Sequence, residues 1–235
     1  MKRTAISGTA AIAAAVAIML SACGSDTKTE PTASASSSTS TSATAAPSAR
    51  SNVALRDKDA KGPNPTIASY IAENNIHETP VKKGDPGSPK IDLPVPDGWK
   101  TAGDDTPDWA YGAIVYTGPE GKEYTPSIVA LVSKLTGNVD PQKIIGLAPG
   151  ELQNLPGWKA TNAGRPSTLG EYPAYQLGGT WTQGGQTKIV AQKTVVIPGS
   201  DGLYVLQLNA DGLDDQARIV GAATDVIDAQ TKITP

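Results

Sequence analysis

The sequence predicts an α+β fold with a mostly antiparallel sheet of about six strands sandwiched between helices. Strand-like segments follow one another with short turns of glycine and proline between them, which is typical of consecutive hairpins. The segment 128–132 is apolar at every position, as expected of a strand that is buried on both faces of a sheet. Amphipathic helical patterns precede, interrupt and follow the strands, so helices can cover both faces.

The first predicted elements are a helix at residues 65–74 and a short strand at residues 91–93. Asn64 can cap the helix, and Pro65 suits its first position because an N–H there would have no partner within the helix. Prolines follow the strand directly, which favours a position at the edge of the sheet. Between these elements, glycine and proline are dense enough to predict turns and extended chain.

The centre of the chain predicts a strand pair and an interrupted helix. Residues 113–117 and 126–135 form the pair, and a Gly-Pro-Glu-Gly turn links them. Asp140 is the expected cap of the following helix, with Pro141 at its first position. A Pro-Gly pair at 149–150 kinks this helix or divides it into two short ones.

The last part of the chain predicts a three-stranded meander and a final helix. The strands lie at residues 173–182, 187–197 and 203–208, and a Gly-Gly pair forms the first hairpin turn. Asp211 is the expected cap of the final helix, because aspartate before an amphipathic pattern commonly accepts hydrogen bonds from the first turn.

The amino-terminal region predicts a bacterial lipoprotein. A basic start and a short apolar run precede the sequence Leu-Ser-Ala-Cys, which resembles a lipobox that ends at Cys23. We therefore expect a signal peptide at residues 1–22, attachment of fatty-acyl chains such as palmitate to Cys23, and anchoring at the extracytoplasmic face of the cell membrane. A tether rich in serine, threonine and alanine follows at residues 23–62, and residues 63–235 form a single domain.

Charge and cysteine content exclude several functions. The formal net charge of −3 argues against binding to nucleic acid, and removal of the basic signal peptide makes the chain more acidic. Cys23 is the only cysteine, so its lipidation leaves no thiol for a disulfide, for catalysis or for a metal site. We expect no cofactor.

The sequence contains no recognisable catalytic motif. His77 is the only histidine and falls in a polar loop pattern, and no G-x-S-x-G sequence is present. Asp104 and Asp105 could hold a cation weakly, but such a pair is more typical of a solvated turn. We therefore expect neither catalytic residues nor a metal site, although carboxylates that meet only in space remain compatible with a hydrolase.

Aromatic residues near strand ends are the candidate ligand contacts. They either plug the edges of the core or line a groove, in which aromatic faces stack on sugar rings and aliphatic walls accept acyl chains. Gly178 and Gly179, inside a predicted strand, would leave space above the sheet. The candidate contacts are Trp99, Trp109, Tyr111, Tyr124, Tyr172, Tyr175 and Trp181.

Several motifs together resemble one protein family. They are TIASYIAENNIHETPV at 66–81, GDPG at 84–87, IDLPVPDGW at 91–99, LAPGEL at 147–152 and LPGW at 155–158. The pattern resembles the LpqN/LpqT family of mycobacterial lipoproteins over the lipobox, the tether and the whole domain. The resemblance implies a PsbP-like fold, a non-catalytic role in assembly of the mycolic-acid envelope, binding of trehalose-type glycolipids and association with an RND-type (MmpL) lipid exporter.

Three functions are compatible with these observations. The first is glycolipid binding of the trehalose mycolate type in support of an exporter, which needs an anchored aliphatic domain with an open groove. The second is a ligand-free interaction or scaffold protein, which predicts a collapsed groove. The third is an envelope hydrolase, which needs His77 or a pair of carboxylates to converge in a pocket.

Overall fold

The computed structural model describes residues 62–235, so the predicted signal peptide, Cys23 and the tether up to residue 61 lie outside the described residues. This part of the chain forms eleven strands and four α-helices. The strands are β1 (His77–Pro80), β2 (Lys90–Asp92), β3 (Trp99–Thr101), β4 (Gly112–Tyr116), β5 (Ser127–Thr136), β6 (Lys159–Ala160), β7 (Arg165–Leu169), β8 (Tyr172–Gln183), β9 (Gln186–Gly199), β10 (Gly202–Leu213) and β11 (Lys232–Thr234). The helices are α1 (Ile67–Glu73), α2 (Pro141–Leu147), α3 (Gly150–Gln153) and α4 (Ala217–Gln230).

Nine of the strands form one antiparallel sheet, with the continuous order β3-β4-β5-β10-β9-β8-β6. β1 also pairs with β5, at the end of β5 that β4 leaves uncovered, and β7 pairs with β8 beside β6. β2 and β11 form a separate two-stranded sheet, in which Ile91 pairs with Ile233. The predicted α+β class with a mostly antiparallel sheet is confirmed.

The long central hairpin turns where the sequence predicts it. β8 and β9 are connected at Gly184 and Gly185, whose φ angles of 59° and 80° lie in the left-handed region. Two successive left-handed residues match the right-handed twist of the flanking strands, and glycine adopts this conformation without a steric penalty. The Gly-Gly pair therefore fixes the register of the two strands.

The sheet contains nine strands rather than about six. Five of the six predicted strands belong to it, whereas the one predicted at 91–93 is β2 of the two-stranded sheet and not an edge strand of the main one. The four additional strands β1, β3, β6 and β7 are two to five residues long and lie at sheet edges. Segments this short carry no readable alternation of apolar and polar residues. They become strands because longer neighbouring strands offer unpaired backbone groups at their edges.

Thr66 caps α1, whereas Asn64 was the predicted cap. The Thr66 Oγ1 atom accepts a hydrogen bond from the Ser69 backbone N–H at 3.1 Å, and Ser69 Oγ accepts one from the Thr66 N–H at 3.0 Å. Asn64 instead bonds to Asn154 at the end of α3, which is 90 residues away in the chain. A local pattern cannot reveal so distant a partner, so the prediction was wrong.

Asp211 lies inside β10 and does not cap the final helix, contrary to expectation. β10 continues to Leu213, and Asp211 pairs with Ser127 of β5 and with Val190 of β9. A 3-10 turn at Asp214–Gln216 then leads into α4. The prediction failed because strand pairing on both sides of Asp211 outweighs the local preference of aspartate for a helix cap.

The interrupted helix agrees with the sequence. Asp140 Oδ1 accepts a hydrogen bond from the Gln142 N–H at 2.8 Å, as predicted for a cap. α2 ends at Leu147 and α3 begins at Gly150, so the Pro-Gly pair produces two short helices. Within residues 62–235, no helix is long and apolar enough to cross a membrane.

Helices cover both faces of the sheet. On one face, α4 contributes Ala223 to a large hydrophobic core that includes Leu206. On the other face, Ile144 of α2 packs with Val196 of β9, and Leu152 of α3 is fully buried in a neighbouring cluster. The sheet therefore separates two cores, and only the second face also contains the large cleft described next.

Candidate functional site

A cleft of about 340 Å³ opens on the sheet face that α1 and α3 flank, and this volume lies in the range of small-molecule sites. Its floor comes from β5 and β10, which are neighbours in the sheet. The floor residues are Ser127, Val129, Leu131, Ser133, Leu135, Val205, Gln207, Asn209 and Asp211. The walls are Ile67, Ala68, Ile71, Glu78, Trp109, Glu151 and Leu155.

Strand alternation explains which side chains reach the cleft. Successive side chains point to opposite faces, so every second residue of β5 and β10 faces the same side. The antiparallel register pairs Gln207 with Leu131 and Asp211 with Ser127. The residues in between, such as Leu206, belong to the core under α4.

The floor changes from apolar to polar along β10. Val205 and Leu135 share an apolar cluster with the isoleucines of α1. Gln207, Asn209 and Asp211 follow at alternate positions towards the other end. At about 3.4 Å per residue, Val205 and Asp211 are roughly 20 Å apart. The paired residues of β5 do not follow this change, because Leu131 and Val129 lie opposite Gln207 and Asn209. The two ends of β10 suit a molecule that has one apolar and one polar end.

Glu151 connects α3 to the polar part of the floor. Its Oε2 atom accepts hydrogen bonds from Gln192 Nε2 at 3.2 Å and from Gln207 Nε2 at 3.4 Å. Gln192 Nε2 also donates to Asn209 Oδ1 at 3.1 Å. The amide groups of two strands are therefore oriented by a carboxylate that belongs to the wall.

Tyr124 joins two buried charged side chains at the polar end. Its hydroxyl donates a hydrogen bond to Asp211 Oδ1. Lys188 Nζ donates to the Tyr124 hydroxyl oxygen at 3.1 Å and to Gln183 Oε1 at 2.7 Å. Tyr124, Asp211 and Lys188 are all less than 10% exposed, so these contacts replace hydration that the charged groups have lost.

The environment of Tyr124 keeps it protonated. Burial, the negative charge of Asp211 and the hydrogen bond to that carboxylate raise the pKa of Tyr124 far above its usual range. The Lys188 ammonium also lies 4.5 Å from the centroid of the Tyr124 ring, which is a cation–π distance. Tyr124 is therefore a neutral donor between an anionic and a cationic side chain.

Gln216 holds the loop that carries Tyr124. Its Nε2 atom donates to the backbone carbonyl oxygens of Glu120 and Tyr124, both at 2.8 Å. Its Oε1 atom accepts from the Leu213 N–H at 2.8 Å. A single glutamine, 4% exposed, thus joins this loop to the end of β10 and the start of α4.

One family model accounts for nearly the whole described domain. The model described as "Probable lipoprotein LpqN" matches residues 63–234. The chain belongs to the LpqN lipoprotein family. The family resemblance that the sequence motifs predict is confirmed.

The LpqN protein of Mycobacterium tuberculosis and a crystal structure of LpqN agree with this membership. The lipoprotein LpqN of Mycobacterium tuberculosis (strain ATCC 25618 / H37Rv) is 54% identical over 176 residues, which are 75% of this chain and 77% of that protein. A crystal structure of LpqN, described as involved in cell envelope biogenesis of Mycobacterium tuberculosis, is 54% identical and has a TM-score of 0.71. It covers 74% of this chain and 100% of its own. The solution structure of PsbP from Synechocystis sp. PCC 6803 is 9% identical, with a TM-score of 0.41 over 66% of this chain and 92% of its own.

Two of the predicted aromatic contacts adjoin the cleft of this LpqN-family member. Trp109 lines the cleft and packs near Val129 and Leu131. Tyr124 contacts the cleft residue Asp211 through its hydroxyl. Ligand contact by either side chain stays a prediction.

The other five predicted aromatic contacts lie in the cores. Tyr175 and Trp181 pack with Leu152 beneath α3. The remaining three belong to the core that α4 covers, on the opposite face of the sheet. These three are Trp99, Tyr111 and Tyr172. The structure therefore does not bring the seven aromatic residues together in one groove, and the ligand contacts predicted for these five stay untested predictions.

The polar floor is the part of the site that the sequence analysis missed. Within the otherwise apolar β10, polar residues occupy every second position from Gln207 to Asp211, and this alternation was a readable signal. Glu151 carried no such signal. Its partners, Gln192 and Gln207, lie 41 and 56 residues away in the chain.

The candidate catalytic and metal-binding residues are exposed. His77 lies at the start of β1, where it pairs with Thr136, and it does not line the cleft. Asp104 and Asp105 lie on an exposed 3-10 turn. Among the residues from 62 onwards, no group of three or more His, Cys, Asp or Glu side chains is placed to hold a metal ion.

The two strand glycines differ in what lies above them. A Cβ atom at Gly178 would have no neighbouring heavy atom closer than 3.6 Å, and Gly178 borders a second pocket of about 200 Å³ on the α4 face. A Cβ atom at Gly179 would lie 2.4 Å from the Trp158 ring. The space predicted above the sheet is open at Gly178 and filled by Trp158 at Gly179.

Proposed function

We propose that this LpqN-family lipoprotein is a non-catalytic, lipid-anchored envelope protein that binds a glycolipid of the trehalose mycolate type. It assists an RND-type exporter of the MmpL kind in mycolate transport and cell envelope biogenesis. The description of the Mycobacterium tuberculosis LpqN structure as involved in cell envelope biogenesis supports this role, given 54% identity.

The graded cleft carries the proposal. An acyl segment leaves water for the apolar end under α1, where burial contributes about 25 cal/mol per Å² of apolar surface. Sugar hydroxyls bond to the carboxylate and amide groups at the other end, and Trp109 offers an aromatic face along the wall. A cleft of about 340 Å³ holds a head group and the adjoining chain segment, so the remainder of a long-chain lipid stays in the membrane or the exporter.

The open cleft supports ligand binding over a ligand-free scaffold. A ligand-free scaffold protein predicts a collapsed groove, which a volume of about 340 Å³ does not match. A hydrolase would need an acid or base free to move a proton. Of the groups that a hydrolase would need, His77 lies outside the cleft, whereas the carboxylates of Glu78, Glu151 and Asp211 line it.

Binding is tested by titrating a fluorescent trehalose glycolipid into the mature chain, residues 23–235, with Cys23→Ser so that no detergent is needed. We expect saturable binding. Ala68→Trp places an indole in the apolar end and should weaken binding about tenfold or more, because a filled pocket cannot accept the chain.

Ala72→Trp is the matched control. Ala72 lies on the same helix and is exposed, as Ala68 is, but it does not line the cleft. The affinity of the Ala72→Trp variant for the glycolipid should equal that of the parent chain. Absence of saturable binding by the parent chain, or equal loss in both variants, would contradict the proposed site.

Support of an exporter is tested in the native envelope. The lipoprotein should co-purify with an MmpL-type exporter, and native mass spectrometry should detect a bound glycolipid. Exporter association without any lipid would favour the scaffold function instead.

A further inference from the structure

We infer that Asp211, together with Glu151, selects uncharged hydroxyl-bearing head groups and rejects anionic ones. The inference rests on the proposed function, because it concerns the same cleft. It identifies the polar end as a charge filter, with Tyr124 and Lys188 as the residues that position Asp211.

The charged groups that line the cleft are all acidic. Glu78, Glu151 and Asp211 line it, whereas no lysine, arginine or histidine from the described residues does. Lys188, the ammonium group near the polar end, contacts Tyr124 and is not part of the lining. A sulfate or phosphate group in this end would meet carboxylates of the same sign in a partly desolvated space, which is strongly unfavourable.

Neighbouring side chains hold Asp211 in place at the polar end of the cleft. Asp211 as a residue is 8% exposed, and its carboxylate accepts a hydrogen bond from the Tyr124 hydroxyl. Lys188 is 6% exposed and donates a hydrogen bond to the same hydroxyl oxygen. A hydrogen-bond donor and a nearby cation compensate for the water that a buried carboxylate loses.

The same side chains suit hydroxyl donors. An ionised carboxylate only accepts hydrogen bonds and offers about four lone-pair sites on its two oxygens. Neighbouring hydroxyls of a sugar supply donors to such sites, whereas a sulfate ester supplies none. Glu151 extends this surface across the floor, since its carboxylate already accepts from Gln192 and Gln207.

Two amphiphiles of equal chain length separate the contributions of charge and chain. Decyl glucoside and decyl sulfate, both below their micelle concentrations, are titrated calorimetrically into the mature chain with Cys23→Ser. We expect the glucoside to bind at least about tenfold more tightly. The affinity for decyl glucoside divided by the affinity for decyl sulfate is the selectivity ratio. Asp211→Asn should reduce this ratio about tenfold, and Glu151→Gln should reduce it about threefold.

Glu73→Gln is the matched control. Glu73 lies on α1, which flanks the cleft, but it is exposed and does not line the cleft. Because an exposed charge is screened by salt, this variant should change the ratio by less than about twofold. Thermal melting of each variant identifies any that is unfolded, and Glu151→Gln keeps the test decisive if Asp211→Asn does not fold.

The outcomes distinguish the inference from the function on which it rests. Equal binding of both amphiphiles by the parent chain would overturn the charge filter and leave lipid binding intact. An unchanged ratio in folded Asp211→Asn and Glu151→Gln variants would also overturn it. Binding of neither amphiphile would overturn the proposed function and this inference with it.

Discussion

At the scale of single residues, Tyr124 determines how two charged side chains can be buried together. Its hydroxyl accepts from Lys188 and donates to Asp211, so each charged group has a polar partner although all three are shielded from water. The loop that carries Tyr124 is held in turn by Gln216. Removing the Tyr124 hydroxyl therefore takes one hydrogen-bond partner from Asp211 and one from Lys188.

Tyr124→Phe should destabilise the domain by about 1–3 kcal/mol, because buried polar groups that lose a partner also lack water. Urea denaturation measures the loss. Tyr70→Phe is the control, since the Tyr70 hydroxyl accepts a hydrogen bond from the exposed Asp140 N–H and water can replace it. Equal losses in the two variants would contradict a special role of the buried network.

The raised pKa of Tyr124 predicts a loss of stability in alkali. In the unfolded chain a tyrosine loses its proton near pH 10, whereas folded Tyr124 keeps it to higher pH because of burial and the Asp211 charge. The contribution of Tyr124 to the free energy of unfolding is therefore fully present below about pH 10 and declines as the pH rises above this value.

Urea denaturation at pH 9 and pH 11 tests this dependence. The difference in free energy of unfolding between the parent chain and Tyr124→Phe should fall by up to about 1.4 kcal/mol from pH 9 to pH 11. This amount corresponds to the one pH unit that lies above the unfolded pKa of about 10. A constant difference would show that Tyr124 titrates alike in both states.

At the scale of elements, the segment before α1 is packed tightly against α3. Asn64 and Asn154 form three hydrogen bonds of 2.9–3.1 Å with each other. A Cβ atom at Gly150 would lie 2.0 Å from the Pro65 carbonyl oxygen, so only glycine allows this approach. Because α1 and α3 both line the cleft, the contact fixes the distance between two of its walls.

Gly150→Ala should destabilise the domain by about 1–3 kcal/mol through this clash. Gly146→Ala, in α2, is the control because a Cβ atom there would meet nothing within 4 Å. The second substitution should stabilise the domain by up to about 1 kcal/mol, since alanine favours the helix over glycine. Thermal or urea denaturation distinguishes the opposite signs, and destabilisation by both would contradict the packing argument.

Asn154→Ala should loosen α1 while the sheet remains intact. Loss of the three hydrogen bonds to Asn64 should raise the hydrogen-exchange rate of α1 amides about tenfold. The matched control is Asn74→Ala, which removes one exposed bond to the Tyr70 carbonyl. Exchange that rises equally in the sheet and in α1 would indicate global destabilisation instead.

At the scale of the whole molecule, the sheet separates two chemically different faces. The α4 face is covered by a large hydrophobic core, whereas the α1 and α3 face combines smaller cores with the cleft. In the proposed function the predicted anchor at Cys23 keeps this cleft near the membrane, which raises the local concentration of lipid ligand.

Cys23→Ala should release the protein from the membrane fraction. Two acyl chains suffice for stable anchoring, since each buried CH₂ contributes about 0.8 kcal/mol, and the variant has no thiol to carry them. Membrane fractionation and intact mass measurement test this. Retention of the variant in the membrane, or an unmodified amino terminus in the parent protein, would contradict lipidation.

Local sequence determined the elements whose signals are complete within a few residues. The Asp140 cap, the division between α2 and α3 and the Gly184-Gly185 turn all depend on short-range hydrogen bonds or on glycine conformation. The fold class followed from the order and period of apolar residues. The family membership followed from motifs that consist mainly of such turn and packing residues.

Tertiary structure decided everything that depends on partners far apart in the chain. The four short edge strands exist because neighbouring strands offer free edges, and Asn64 bonds to Asn154 instead of capping a helix. The seven aromatic residues were divided between two faces by strand alternation and packing. The cleft itself arises where β5 and β10 meet. That pairing brings Tyr124 beside Asp211, and the pairing of β9 with β10 adds Lys188, so residues 64 and 87 positions apart in the chain become neighbours.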